Sequence, residues 1–249
     1  MVTQPLISII TVCRNAETTI GATLKSVDEQ TFTDYEHIII DGASSDATLS
    51  IIKSAPNERR RLSSDPDRGI YDAMNRGLER ARGRYVIFLN AGDRFHSPTT
   101  LNLYASAISV NPEVDIVYGE TDIVDINGNY IGPRHLSAPE VLTAESFADG
   151  MLVCHQAFMA SIRITSYYDV RYKFSSDYDW CIRCLQRSRL NINLNAVTID
   201  YLNEGETTRN RSRSLYERFK IMSYYFGAGK SIRRHFSFLR RYIKRRNRK

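Results

Sequence analysis

Polar side chains able to hold charge or move protons gather at the ends of short apolar runs in this chain. Leu6 to Cys13 leads into Arg14 and Asn15, His37 to Asp41 into Gly42-Ala43-Ser44-Ser45-Asp46, and Arg84 to Asn90 into Ala91-Gly92-Asp93. Ligands of open α/β sheets bind beyond the carboxyl ends of the strands, so three such ends would bring these groups to one rim. Carboxylates and amides there suit the hydroxyls of a ribose or the polar edge of a base, and guanidinium groups suit phosphate. The turn after the first run, Cys13-Arg14-Asn15-Ala16-Glu17, has no glycine, and no Walker lysine loop occurs. A backbone cradle for pyrophosphate, as in NAD enzymes or P-loop NTPases, is therefore not expected. Any nucleotide would be gripped by side chains. Plainer roles compete at the same positions: Asp46 suits a helix cap, and Gly92-Asp93 suits a simple turn.

The elements that must position these groups follow from the apolar pattern. The runs Leu6 to Cys13, His37 to Asp41, Arg84 to Asn90 and Val114 to Gly119 are near-continuous and β-branched, which suits strands covered on both faces. Helical spacing joins them, over Glu17 to Gln30 (Ile20, Leu24, Val27) and Ile70 to Arg82 (Ile70, Ala73, Met74, Leu78, Ala81). Strand alternating with helix implies an α/β fold with a mostly parallel central sheet flanked by helices. Further on, Asp125-Ile126-Asn127-Gly128-Asn129 carries an Asn-Gly hairpin turn, Tyr178 to Arg189 reads as a helix, Ala196 to Leu202 as a strand, and Ser212 to Phe226 as a helix.

The chain has 249 residues, 42% hydrophobic and 10% aromatic, which is enough for a core without disulfides. No apolar run approaches the roughly 18 to 20 residues needed to span a bilayer. The first run also lacks the basic start and small-residue cleavage site of a secretory signal, so a cytoplasmic location is expected. Cys181 and Cys184 form a lone CxxC in a helical pattern, with only Cys13 and Cys154 elsewhere. Buried thiols are expected rather than a zinc site.

The net charge of +6 conceals an asymmetry. From Arg211 to Lys249 there are fourteen Lys and Arg and one acid, Glu217, so this stretch carries +13 and the rest of the chain −7. Within it Ile232, Phe236, Leu239 and Ile243 recur at helical spacing, with Arg233, Arg234, Arg240, Arg241, Lys244 and Arg245 around them. An apolar stripe flanked by cations is the pattern of a helix lying on an anionic membrane surface, here over 231–249. Packing onto the protein's own body is the alternative. Nucleic acid is disfavoured, because no recognised binding signature accompanies the basic run.

Five ordered segments carry a resemblance: Pro5 to Val12, Ile40 to Thr48, Asp65 to Gly77, Phe88 to Asp93 and Ser175 to Trp180. Together they resemble the successive motifs of family-2 glycosyltransferases of the GT-A fold, in particular bacterial exopolysaccharide enzymes of the colanic-acid type. The resemblance runs from about residue 5 to 210. It implies a glycosyltransferase domain over 1–210, with a nucleotide-binding half to about 120 and an acceptor half over 121–210, followed by a basic helical extension over 211–249. The implied reaction is an inverting transfer of a sugar from a nucleotide-diphosphate donor to a hydroxyl of a lipid-linked or free glycan. A second hypothesis is a non-catalytic scaffold or regulator that keeps the fold.

The resemblance also implies roles. Asp177 stands at the position of the general base, with Asp179 as the fallback, although a carboxylate there is also a natural helix cap. Asp41 matches a nucleotide contact, and Arg68 and Asp72 lie in a second nucleotide-contacting segment. The customary Asp-x-Asp-Asp reads Asn90-Ala91-Gly92-Asp93, with glycine where the metal carboxylate usually falls. Asn90 suits a ribose hydroxyl, Asp93 is the remaining candidate ligand for a divalent cation (Mg or Mn), and metal dependence stays open. Arg209, with Arg211 and Arg213, is placed to meet phosphate. His155 and Gln156 match a pair expected on the acceptor side, against the alternative of a core histidine.

Overall fold

Ile7, Ile9 and Ile10 of the first strand are wholly buried, as are Ile39 and Ile40 of the second and Val86, Ile87 and Phe88 of the fourth. Strands apolar on both faces must be covered on both, and helices cover them here. The computed structural model describes residues 4–203 and 211–236. Among these the strands are β1 (Ile7–Cys13), β2 (Tyr35–Asp41), β3 (Arg60–Ser64), β4 (Tyr85–Phe88), β5 (Arg94–Phe95), β6 (Ile116–Val124), β7 (Tyr130–Pro133), β8 (Phe158–Ser161) and β9 (Asn191–Leu202). The helices are α1 (Ile20–Asp28), α2 (Thr48–Ser54), α3 (Ile70–Arg80), α4 (Thr100–Val110), α5 (Ser176–Arg187) and α6 (Arg211–Phe226).

All nine strands join one sheet in the order β3-β2-β1-β4-β8-β6-β9-β5, with β7 paired to β6. The ladders β3-β2-β1-β4 and β6-β9 are parallel, and β8, β5 and β7 pair antiparallel to their neighbours. Most paired residues therefore lie in parallel ladders, as the run pattern predicts. α1 and α2 cover one face through Ile20, Leu24 and Ile52 against Cys13 and Ile39. α3 covers the other so closely that a Cβ on Gly77 would lie 2.4 Å from Ile10 Cγ2.

Several boundaries differ from the sequence pattern for identifiable reasons. α1 starts at Ile20 rather than Glu17, because Asn15 is left-handed (φ 49°) and Ala16 to Thr19 form a turn. Glu17 is drawn instead to the β2–α2 loop, where its carboxylate accepts from Ala47 N–H. β6 runs on past Gly119 to Val124, and β9 begins five residues early at Asn191, with left-handed Asn195 within it. The N-cap of α2 is Ala47 rather than Asp46, which sits one residue earlier and whose carboxylate accepts from the Thr48 N–H and hydroxyl. The Asn-Gly turn closes the β6–β7 hairpin, with Gly128 at φ 86°. All four cysteines are buried free thiols.

Candidate functional site

The ends of β1, β2 and β3 meet, whereas the run pattern brings together the ends of β1, β2 and β4; the β4 end does reach β1, where Ala91 N–H donates to Val12 O at 3.3 Å. A Cβ on Gly42 would lie 2.3 Å from Asp67 Oδ2 and 3.3 Å from Arg14 Cδ, so glycine is what lets the three loops approach. Asn15 N–H donates to Ser44 Oγ, and Asn15 Oδ1 accepts from Ser45 N–H. Asp41, fully buried at the end of β2, accepts from Ser44 N–H at 2.9 Å, from Ser64 Oγ at 2.7 Å and from the Ser44 hydroxyl. Burial pulls its carboxyl upward, but these hydrogen bonds outweigh burial and hold it below the usual range. Asp41 thus braces the loop that carries Ser44. Arg68 and Asp72 pair with each other at 2.8 Å, the exposed Arg68 two residues before α3 and the half-buried Asp72 in its first turn.

The Asn90–Asp93 turn departs from what a metal site requires. Gly92 has φ 104°, and a Cβ there would lie 2.7 Å from Leu202 Cδ2, so this position resists the customary carboxylate. Asp93 is buried, with Oδ1 accepting from Leu202 N–H (3.1 Å) and Oδ2 from Gln156 Nε2 (2.8 Å). Burial raises its carboxyl to about 7, against those two hydrogen bonds. Both oxygens are occupied in tying the turn to β9 and to Gln156, and a divalent cation does not fit the residues present. Asn90 Oδ1, by contrast, is buried without a hydrogen-bond partner among the described residues.

His155 and Gln156 lie behind the site surface rather than on it. His155 is 3% exposed, hydrogen-bonded through Nε2 to the Tyr168 hydroxyl (2.6 Å) and stacked on Phe88, and burial lowers it to about 4. Gln156 serves Asp93 and accepts from Cys154 Sγ.

Asp177 lies in the first turn of α5, one residue after the helix start, so it is inside the helix rather than its cap; the N-cap is Ser175. The Asp177 side chain is half-buried, and its Oδ1 accepts from the Tyr71 hydroxyl at 3.1 Å. Among the described residues no hydrogen bond occupies Oδ2. Asp179, the fallback, is unsuited to move a proton. It is 6% exposed, with Oδ2 paired to Arg183 (2.8 Å) and Oδ1 accepting from Tyr225 (2.8 Å).

α6 buttresses this corner. Glu217 accepts from the N–H groups of Lys173 and Phe174, both at 2.8 Å, just before α5, and Ser175 Oγ donates to Ser214 O. Arg213 is exposed near the start of α6, whereas Arg209 lies outside the described residues. In the segment 228–236, Lys230 pairs with Glu145 and Arg234 with Asp149, Ser231 is buried, and Ile232 and Phe236 are 48% and 64% exposed. Leu239 and Ile243 of the predicted stripe lie outside the described residues. Sequence reasoning missed Tyr71, Glu217 and a cluster of His96, Asp122 and Asp200, whose ligand atoms all lie within 4.8 Å of one another. His96 follows β5 while Asp122 and Asp200 lie on β6 and β9, and no local motif signals their meeting. His96 already pairs with Asp200 at 2.7 Å.

Known proteins share this fold. Residues 8–171 match the model of glycosyl transferase family 2. A PGL/p-HBAD biosynthesis glycosyltransferase of Mycobacterium bovis (strain BCG / Pasteur 1173P2) is 33% identical over 206 residues, 80% of this chain and 77% of that protein. The UDP-Glc:alpha-D-GlcNAc-diphosphoundecaprenol beta-1,3-glucosyltransferase WfgD of Escherichia coli is 29% identical over 141 residues, 55% of each. Among solved structures, S. aureus TarS 1-349 in complex with UDP-GlcNAc superposes with TM-score 0.72 at 20% identity, covering 94% of this chain and 73% of that one, which establishes a shared GT-A fold. With its sheet, its three converging strand ends and two thirds of its length matched, the chain belongs to glycosyl transferase family 2.

Proposed function

We propose that this glycosyltransferase inverts the anomeric centre as it moves a sugar from a nucleoside-diphosphate donor to a hydroxyl of a lipid-linked glycan, with Asp177 as general base. The observation that carries the reading is the contrast between two neighbouring carboxylates. Asp177 is half-buried with one oxygen held by Tyr71 and the other without a hydrogen bond among the described residues, whereas both oxygens of Asp179 are committed. A base for a single displacement must be fixed yet have a free lone pair. The acceptor hydroxyl gives its proton to Asp177 Oδ2 as its oxygen attacks the anomeric carbon, and the diphosphate leaves from the opposite face.

The donor lies over the loops bearing Asp41, Arg68 and Asp72, with Asn90 at the ribose. Support for a nucleoside diphosphate comes from the fold shared with the UDP-GlcNAc complex, and for a lipid-linked acceptor from the WfgD relative. Because the Asn90–Asp93 turn does not fit a divalent cation, the leaving charge falls to guanidinium groups, Arg209 and Arg213 foremost, whose forks match phosphate. The exposed Ile232 and Phe236, beside cations, support docking of 231–249 on an anionic membrane face, which brings the site to its lipid-borne acceptor. No described helix is long and apolar enough to cross a membrane.

The Asp177→Asn variant tests the assignment. UDP affinity by calorimetry should match the parent, while UDP release from UDP-sugars should fall by about a thousandfold or more. Near-normal turnover would remove Asp177 from the role.

A further inference from the structure

Asp177 is held from an unexpected direction. Tyr71 belongs to the first turn of α3, directly after the Asp65–Gly69 loop on the donor side, and meets Asp177 across 106 residues of sequence. Its hydroxyl donates to Asp177 Oδ1 at 3.1 Å and lies against the Asp177 backbone N–H as well. The phenol is 8% exposed, and burial next to the carboxylate pushes its ionisation well up, so it stays a donor.

The ring has little freedom. It stacks on Tyr168 at 5.7 Å, and Tyr168 in turn stacks on Trp180 at 5.2 Å. Asn75, one helical turn beyond Tyr71, clasps the Tyr168 backbone on both sides, donating to its carbonyl at 3.0 Å and accepting from its N–H at 2.6 Å. A hydroxyl on so fixed a ring limits the rotation of the short Asp177 side chain and leaves Oδ2 as the oxygen open to an acceptor.

We propose that Tyr71 is the positioning residue of the transfer reaction, fixing the Asp177 carboxylate in register with a donor bound over the loop that opens α3. The proposal rests on the reading of Asp177 as base. The hydroxyl is spent on the Asp177 carboxylate, so its contribution is orientation, an effect confined to the chemical step.

Tyr71→Phe keeps the ring and its stacking and deletes only the hydroxyl. UDP release is measured for the parent, Tyr71→Phe, Asp177→Asn and the double variant. The donors are UDP-glucose and UDP-GlcNAc, the acceptor is water or a GlcNAc-diphosphate lipid, and UDP affinity is measured alongside. Tyr71→Phe should lower kcat about tenfold with donor KM and UDP affinity within about twofold of the parent. The double variant should be no slower than Asp177→Asn alone, because the hydroxyl acts only through that carboxylate. An unchanged kcat in Tyr71→Phe beside an inactive Asp177→Asn would overturn the role of Tyr71 and leave the base in place. A rise in KM or loss of UDP affinity matching the loss of kcat would overturn it in favour of a structural role. Normal turnover in Asp177→Asn would instead bring down the base assignment beneath it.

Discussion

Asp93 offers a test of the buried turn that is independent of any substrate. Its carboxyl is raised to about 7 by burial, whereas in the unfolded chain it would lose its proton near 3.8. Between those values the folded protein holds a proton that the unfolded chain has released, so stability falls as pH rises through the window. The stabilisation is complete below about 4 and gone above about 7. The window spans about three pH units at about 1.4 kcal/mol each, or about 4 kcal/mol in all. His37 and His155, lowered by burial to about 3 and about 4, act in the opposite sense, since the unfolded chain takes up their protons below about 6.5. Asp93→Asn separates the contributions because both histidines remain. Asn keeps an acceptor for Leu202 N–H, and its amide meets Gln156 once that side-chain amide turns over. Urea unfolding of both proteins at pH 5, 6, 7 and 8 would show the stability of the variant relative to the parent rising by about 1.4 kcal/mol per pH unit up to about 7, then levelling. A difference that stays flat from pH 5 to 8 would refute the reasoning.

Three further outcomes follow from the same geometry. Glu217→Ala strands the N–H groups of Lys173 and Phe174 beside the Asp177 helix, and should cost about 2 kcal/mol in thermal or urea unfolding together with a fall in kcat. UDP affinity by calorimetry should be the same within about twofold in Mn and in EDTA, since the residues of the Asn90–Asp93 turn offer no free carboxylate; a tenfold loss in EDTA would return a cation to the donor site. Replacing Ile232 and Phe236 together by Ser should weaken sedimentation with phosphatidylglycerol vesicles about tenfold while leaving UDP affinity unchanged, and equal sedimentation would argue against a membrane-facing stripe.

The first half of the fold was legible because its strands are buried on both faces and interrupted by helices with a clear apolar stripe. β3 escaped notice because Arg-Arg-Leu-Ser-Ser, at the sheet edge, needs little apolar character. α4 escaped because its apolar residues surround it too evenly to mark one face. The extra length of β9 was hidden by Asn191, Asn193 and Asn195, two of which hydrogen-bond with their side chains to carbonyls of the 139–142 loop. Strand ends read well for the same reason that strands do: a polar residue closing an apolar run must lie near the rim.

Roles within the site were less legible, since side chains acquire them from partners far away in sequence. Asp177 and Asp179 are the same residue type two positions apart in one helical turn, and nothing local separates them. What separates them is which neighbour each meets: Tyr71 reaches the first from α3, and Arg183 and Tyr225 occupy the second. The same holds for Asp93, which a motif would assign to a metal and which Gln156 and Leu202 instead claim for the core.

The basic stretch after residue 210 makes the point most directly. From sequence, its charge and apolar stripe predict a helix for an anionic surface, and Ile232 and Phe236 are exposed. Yet Glu217, its one acid, binds the two N–H groups that lead into α5, and Tyr225 holds Asp179 in the next turn. A helix that grips the segment leading to Asp177 on one side while it leads into the stripe on the other is packed into the candidate site. Truncation before α6 should therefore abolish turnover, and loss of the stripe alone should spare it.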